Sequence, residues 1–223
     1  MIFDCQVKMS TKPRGRPRAY DPQAVLQQVL QTFWVKGYAD TSLDEVCEAA
    51  GVNKATLYAG LGDKAQLYRL ALQAYVKQVG EGMVAVLDEP GLSLTQALER
   101  LMAQTVALYR GGRGCFMVST APMVAWQDDA VRALMQQALA GQAALLTARV
   151  ERAGREGEWR GSVPAAALAG LVAALMHSLS LRARAGLAEP DLLRWAQTEL
   201  ALVLAAAGVT GPTGREAAQG LAG

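Results

Sequence analysis

Histidine and cysteine are scarce in this chain, and their scarcity excludes several chemistries. There is one histidine, His177, and the three cysteines, Cys5, Cys47 and Cys115, are far apart. A Ser-His-Asp site would have to be built on His177, and nothing in the sequence organises one. The histidine and cysteines lack zinc-ligand spacing. The glycine-rich run 111–114 lacks the Lys-Ser/Thr ending of a phosphate loop. No enzyme activity, cofactor or metal is therefore expected. Three scattered cysteines argue against a disulfide framework and suit a reducing compartment. No long apolar stretch follows a basic start in residues 1–8, so a cytoplasmic protein is expected. Alternating apolar–polar runs rich in β-branched residues are also missing, and the expectation is an all-α fold.

Residues 161–181 contain no Asp, Glu, Lys or Arg. The run is close to the ~20 residues of a membrane span. It is dominated by alanine, however, and carries Pro164, Gly170, His177, Ser178 and Ser180. A buried helix fits it better than a span, and no membrane partner is expected.

What the chain has is apolar material and a local concentration of positive charge. Its 223 residues are 52% hydrophobic, enough for a small head and a larger body with a buried core. The net charge is only +2, yet Lys8, Lys12, Arg14, Arg16 and Arg18 crowd the N-terminus against Asp4 alone. A basic arm on a near-neutral body suits phosphate, although a solvated tail has the same composition. The organisation read from these shifts is a basic arm at 1–19, a head at 20–65, a body at 66–209 and a Gly/Ala/Thr-rich tail at 210–223.

Helix signals follow one another closely. Asp21-Pro22 reads as an N-cap followed by proline at the first helical position. Val25, Val29 and Phe33 then form an apolar stripe that ends at Lys36-Gly37. Ser42-Leu43-Asp44-Glu45 matches a capping box, and Gly51 closes that short helix. Asn53 is placed to cap a third helix with Leu57 and Leu61 inward. Gly62-Asp63 starts a long helix over about 64–87. In the body, helices are expected near 94–110, 114–124, 128–155, 163–185 and 190–207.

The turn Ala50-Gly51-Val52-Asn53 lets two short helices cross steeply, the arrangement of a helix-turn-helix. Small residues at Ala55 and Ala59 let the third helix enter a major groove, where Lys54 and Thr56 reach base edges. Thr41, Ser42, Asn53, Tyr58 and Lys64 complete the expected DNA-binding set with Arg14, Arg16 and Arg18.

These residues carry a resemblance. Gly15-Arg16-Pro17-Arg18, Phe33-Trp34, Gly37-Tyr38, Thr41-Ser42-Leu43, Ala49-Ala50-Gly51-Val52, Lys54-Ala55-Thr56-Leu57-Tyr58 and Gly62-Asp63-Lys64 occur in an order and spacing that resemble the head of the TetR/AcrR regulators. Leu61 departs from the pattern, standing where the family commonly has an aromatic residue. The resemblance implies a homodimeric repressor on a palindromic double-stranded DNA operator, released by a small-molecule effector. A ligand-binding or protein-binding helical module without specific DNA binding is the alternative.

In the body, a helix over 163–185 is apolar on nearly every side and needs cover on both faces, which a second copy would supply with the last helix. An effector pocket is expected between the remaining helices, with Met102, Thr105, Tyr109, Cys115, Met117, Met123, Trp126 and His177 as candidate lining. The segment Arg113-Gly114-Cys115-Phe116-Met117-Val118 resembles one found in a subset of the family. Arg110 and Arg113 beside Cys115 would favour a thiolate and an oxidant or electrophile sensor. The same cysteine equally fits a small buried thiol.

Overall fold

The computed structural model describes residues 21–161 and 163–209. Its helices are α1 (Pro22–Lys36), α2 (Leu43–Ala50), α3 (Lys54–Leu61), α4 (Lys64–Leu87), α5 (Leu94–Leu108), α6 (Phe116–Ala125), α7 (Asp129–Arg155), α8 (Ala165–Arg184) and α9 (Glu189–Ala206). No strand occurs among the described residues; a lone antiparallel bridge joins Trp159 to Val209. The all-α expectation holds.

Local chemistry sets the starts and stops. The Asp21 side chain accepts from the Gln23 amide at 2.9 Å, and Pro22 occupies the first turn of α1. At the other end the Gly37 amide donates to the Phe33 carbonyl at 2.8 Å. Ser42 and Glu45 form both halves of the capping box of α2. Gly51 takes the left-handed conformation, φ 64°, that lets the chain turn at once into α3. Asp63 caps α4 by accepting from the Gln66 amide at 2.8 Å. A second capping box, Ser93 with Gln96, starts α5.

Three body helices have one boundary shifted by about two residues from expectation, each for a backbone reason. Helix α5 stops at Leu108, because Gly111 has φ 73° inside the short 3-10 turn Arg110–Gly112. Helix α6 starts at Phe116, because Gly114 has φ 63° and lies outside helical space. Helix α8 starts only after Pro164, whose ψ of 142° is extended.

Phe33, Trp34, Leu57, Leu67 and Tyr68 are all buried in the core of the head and its junction with the body. Helix α4 is shared, packing on α1 at one end and on α5, α6 and α7 along its length. The body core lies among α5, α7, α8 and α9. Arg149 stitches its far end, donating to the Leu92 carbonyl at 2.9 Å with Glu158 at 3.5 Å.

Helix α8 is long and apolar enough to cross a membrane by length and composition. Leu168, Val172, Met176, Leu179 and Ala183 bury one side of it inside the chain. Only 39% of its most apolar stretch is buried, so a second face remains open.

Candidate nucleic-acid interface and internal cavity

In the head, Leu57 anchors α3 to the core while Lys54, Ala55, Tyr58 and Ala59 face outward. Thr56 lies on the same helix, its side chain outside what the structure describes, and Asn53 precedes it on the exposed surface. Lys54 Nζ sits 2.7 Å from Asp44 Oδ1, a hydrogen-bonded pair that raises the lysine pKa and ties α3 to α2. Lys64 Nζ donates to the Ala39 carbonyl at 3.2 Å and lies 4.7 Å from the centre of the Tyr38 ring. These contacts hold both ammonium groups at the head surface. Ser42 is exposed, with Oγ accepting from the Glu45 amide at 3.2 Å.

Thr41 is placed otherwise. It is buried, and its hydroxyl donates to the Gly37 carbonyl at 2.7 Å, closing the α1–α2 turn. Arg14, Arg16 and Arg18 lie outside the described residues.

The body holds a partly open cavity of about 880 Å³ between α4, α5, α6, α7 and α8. Thr105, Tyr109, Cys115, Met117 and His177 line it, as do Tyr75, Met83, Gln104, Gln137 and Gln142, which the sequence reading did not single out. Met102, Met123 and Trp126 are not on its wall. Met102 is packed in the core at 1% exposure, whereas Met123 and Trp126 are 82% and 84% exposed near the end of α6. Apolar residue type at helical spacing indicates a packed side chain, but among the described residues the end of α6 has no neighbour over that face.

Cys115 caps α6, with Sγ accepting from the Val118 amide at 3.5 Å and from the Tyr75 hydroxyl at 3.3 Å. Burial, followed by the nearby Cys115, pushes the phenol pKa values of Tyr75 and Tyr109 up, so both remain protonated donors. The arginines expected to act on this thiol are turned elsewhere. Arg110 pairs with Glu189 at 2.9 Å. Arg113 donates to Gln31 Oε1 at 2.6 Å and lies over the Trp34 ring at 4.9 Å. The donors around Cys115 are phenol and helix-end amide groups.

The loop carrying Cys115 also touches the head. Trp34 Nε1 donates to the carbonyls of Arg113 at 3.2 Å and Gly114 at 3.1 Å. The Trp34 ring meets Tyr75 edge-on at 5.0 Å, and Tyr75 lines the cavity. Two further links tie the shared helix α4, near its head end, to the body: the Tyr68 hydroxyl lies 2.7 Å from Thr120 Oγ1, and Arg69 Nε donates to Asp128 at 2.8 Å.

Comparison with known proteins places both halves. Residues 26–71 match the family described as bacterial regulatory proteins, tetR family, and residues 94–200 match the tetracyclin repressor-like C-terminal domain. The chain is 27% identical over 194 residues to the HTH-type transcriptional repressor ComR of Escherichia coli (strain K12), covering 86% of this chain and 92% of ComR. A cysteine-substituted form of the TetR family regulator CifR, solved with 26-base-pair operator DNA, superposes with a TM-score of 0.75. It is 30% identical, over 84% of this chain and 98% of that one. Reduced NemR from E. coli shares the fold, with a TM-score of 0.73 at 18% identity over 85% of this chain and 98% of that one. The curated relatives are regulators of transcription and not enzymes. The chain belongs to the TetR family of DNA-binding transcriptional regulators.

Proposed function

We propose that this regulator is a homodimeric repressor that holds a palindromic operator and lets go when a small molecule fills the body cavity. One observation carries the reading. The loop before α6 presents Cys115 to the cavity, while its Arg113 and Gly114 carbonyls are bonded to Trp34 of the head. A molecule that displaces the cavity wall there acts directly on α1, which packs against α2 of the helix-turn-helix. Lys54, Ala55 and Thr56 of α3 read the major groove in this reading, and Tyr58 beside them meets phosphate. Ser42, Asn53, Lys64 and the arginines Arg14, Arg16 and Arg18 hold phosphate. The protein acts in the cytoplasm, on the DNA found there.

A second copy supplies the missing cover for α8. Ala167, Leu171, Ala174 and Leu181 repeat along its open face at helical spacing, with Leu202 exposed on α9 beside it. Small residues let two such faces approach closely around a two-fold axis.

The test is operator binding by the full chain at two salt concentrations, with DNA from upstream of its own gene. Specific binding falls steeply with salt. Tyr58→Ala and Lys64→Ala should each weaken binding by about tenfold while leaving the oligomer intact. Equal affinity for a scrambled duplex would favour a ligand- or protein-binding module without specific DNA binding.

The position of Cys115 on the cavity wall supports an electrophile or oxidant as effector. Such a compound should release DNA from the parent protein and fail to do so from Cys115→Ser. Release from both would leave reversible occupancy as the signal.

A further inference from the structure

We infer that the cavity selects an uncharged, mainly apolar molecule bearing an accepting oxygen, which the Gln142 side-chain amide of α7 binds beside His177 of α8. The inference rests on the reading of the cavity as the effector site and specifies what enters it.

Among the described residues no Asp, Glu, Lys or Arg lines the cavity, and its walls are mostly aliphatic and aromatic. A charged ligand would lose its water there without meeting an opposite charge, a penalty its apolar parts do not offset. A separate pocket of about 220 Å³ shares Leu145 and Ala148 with the large cavity and carries Arg149, Arg152 and Arg155. Two of its arginines are directed away from the large cavity, Arg149 toward Leu92 and Glu158, and Arg152 toward Asp88 and Leu87, and the third, Arg155, is exposed. Arg149 is buried, with Nε and Nη1 unbonded, so it would serve an anion only if this wall opened.

Polar recognition falls to groups that are neutral. The Tyr75 hydroxyl is occupied by the thiol of Cys115. Gln78, Gln104 and Gln137 are exposed, whereas Gln142 and His177 are half-buried. Gln142 Oε1 lies 3.0 Å from His177 Nε2, which fixes the amide. Among the described residues the Gln142 Nε2 group then has only the Met176 thioether, at 3.5 Å, as its acceptor. A thioether is a weak acceptor, and an amide nitrogen has two hydrogens to give. A ketone, ester, ether or quinone oxygen supplies the better partner. Burial holds the His177 pKa below its ordinary value, so this end of the cavity is neutral near pH 7.

Three fluorescent naphthalenes test the inference on the full-length protein: prodan, which is an uncharged ketone; the naphthoate with the same dimethylamino group; and the prodan analogue whose carbonyl is replaced by methylene. Prodan should bind with blue-shifted emission, at least about tenfold more tightly than the naphthoate. Gln142→Met, close in volume to the parent, should weaken prodan about fivefold and leave the methylene analogue within about twofold. Naphthoate binding as tightly as prodan would overturn the inference, as would failure of all three probes. Equal losses for ketone and methylene analogue would overturn the role of Gln142. If Gln142→Met does not fold, the ranking of the probes on the parent protein still decides between neutral and charged ligands. The expected ranking without any change in operator affinity would uphold the inference and refute the effector reading instead.

Discussion

The indole N–H of Trp34, in the DNA-binding head, donates to the Gly114 carbonyl at 3.1 Å, and the next residue, Cys115, lies on the cavity wall. A single peptide unit thus separates the first helix of the head from the ligand space. Trp34→Phe removes this donor and keeps an aromatic ring against Tyr75 and Phe116. Stability should fall by about 1 kcal/mol. The reduction in operator affinity caused by a cavity ligand should shrink by about fivefold, as titrations with and without ligand would show. An unaltered ligand response would place the coupling in the Tyr68–Thr120 or Arg69–Asp128 links.

The same loop is fixed from its other side by helix α8. A Cβ built on Gly114 would lie 2.7 Å from the Ser180 carbonyl oxygen and 2.8 Å from Ser180 Oγ, the atom that accepts from the Cys115 amide. Gly114 also has φ 63°, where an L side chain is strained. Gly114→Ala should therefore cost about 2–3 kcal/mol, lowering Tm by on the order of 5–10 °C. Gly111→Ala is the control. Its φ is 73° but no atom lies within 4 Å of the added carbon, so only about 1 kcal/mol should be lost. Equal effects would mean that close packing on Ser180 is not what requires glycine at position 114.

Leu171, Leu181 and Leu202 are 54%, 64% and 60% exposed in the single chain. Leu171→Glu with Leu181→Glu should convert a dimer to a monomer in light scattering, with helical content unchanged in circular dichroism. Operator affinity should then fall by more than about tenfold, because each half-site would be held separately. A variant that remains dimeric would move the interface off this face.

His177 gives a pH signature. Its pKa is lowered by burial from the ordinary 6.5. The unfolded chain therefore takes up this proton at higher pH than the folded chain does. The stability that results is fully present above about pH 6.5 and is lost as pH falls through the lower folded value. Denaturant midpoints at about pH 7.5 and pH 5 should differ less in His177→Gln than in the parent. An unchanged difference would assign the pH dependence to other groups.

The head was readable because its signals are local. Asp21-Pro22, Ser42 with Glu45, and Gly51 act through hydrogen bonds or backbone angles that span a few residues, so their neighbours in sequence reveal them. The α8 segment was similarly visible from its lack of charge. The cavity was less legible. Gln104, Gln137 and Gln142 have the polarity of solvated helix positions, and only the packing of α7 against α8 and α4 brings Gln142 beside His177. Tyr75 reads as one more apolar position on α4 until Cys115, forty residues away, reaches its hydroxyl. Thr41 shows the converse: its residue type suits phosphate, but the turn brings Gly37 O within reach of its hydroxyl first. The aim of Arg113 depends on Gln31 and Trp34, distant in sequence, so its proximity to Cys115 along the chain was a poor guide.

A cavity whose described walls carry no ionised side chain applies the same filter as a lipid bilayer. Both admit solutes that can shed their water cheaply and turn away those that carry charge. The molecules such a wall accepts are therefore those that enter a cell by simple diffusion, needing no transporter. An ionised solute would meet the same cost of lost water at either boundary. With the cavity as effector site, the signal would be a neutral solute, and its level inside the cell would follow its own passage through the membrane.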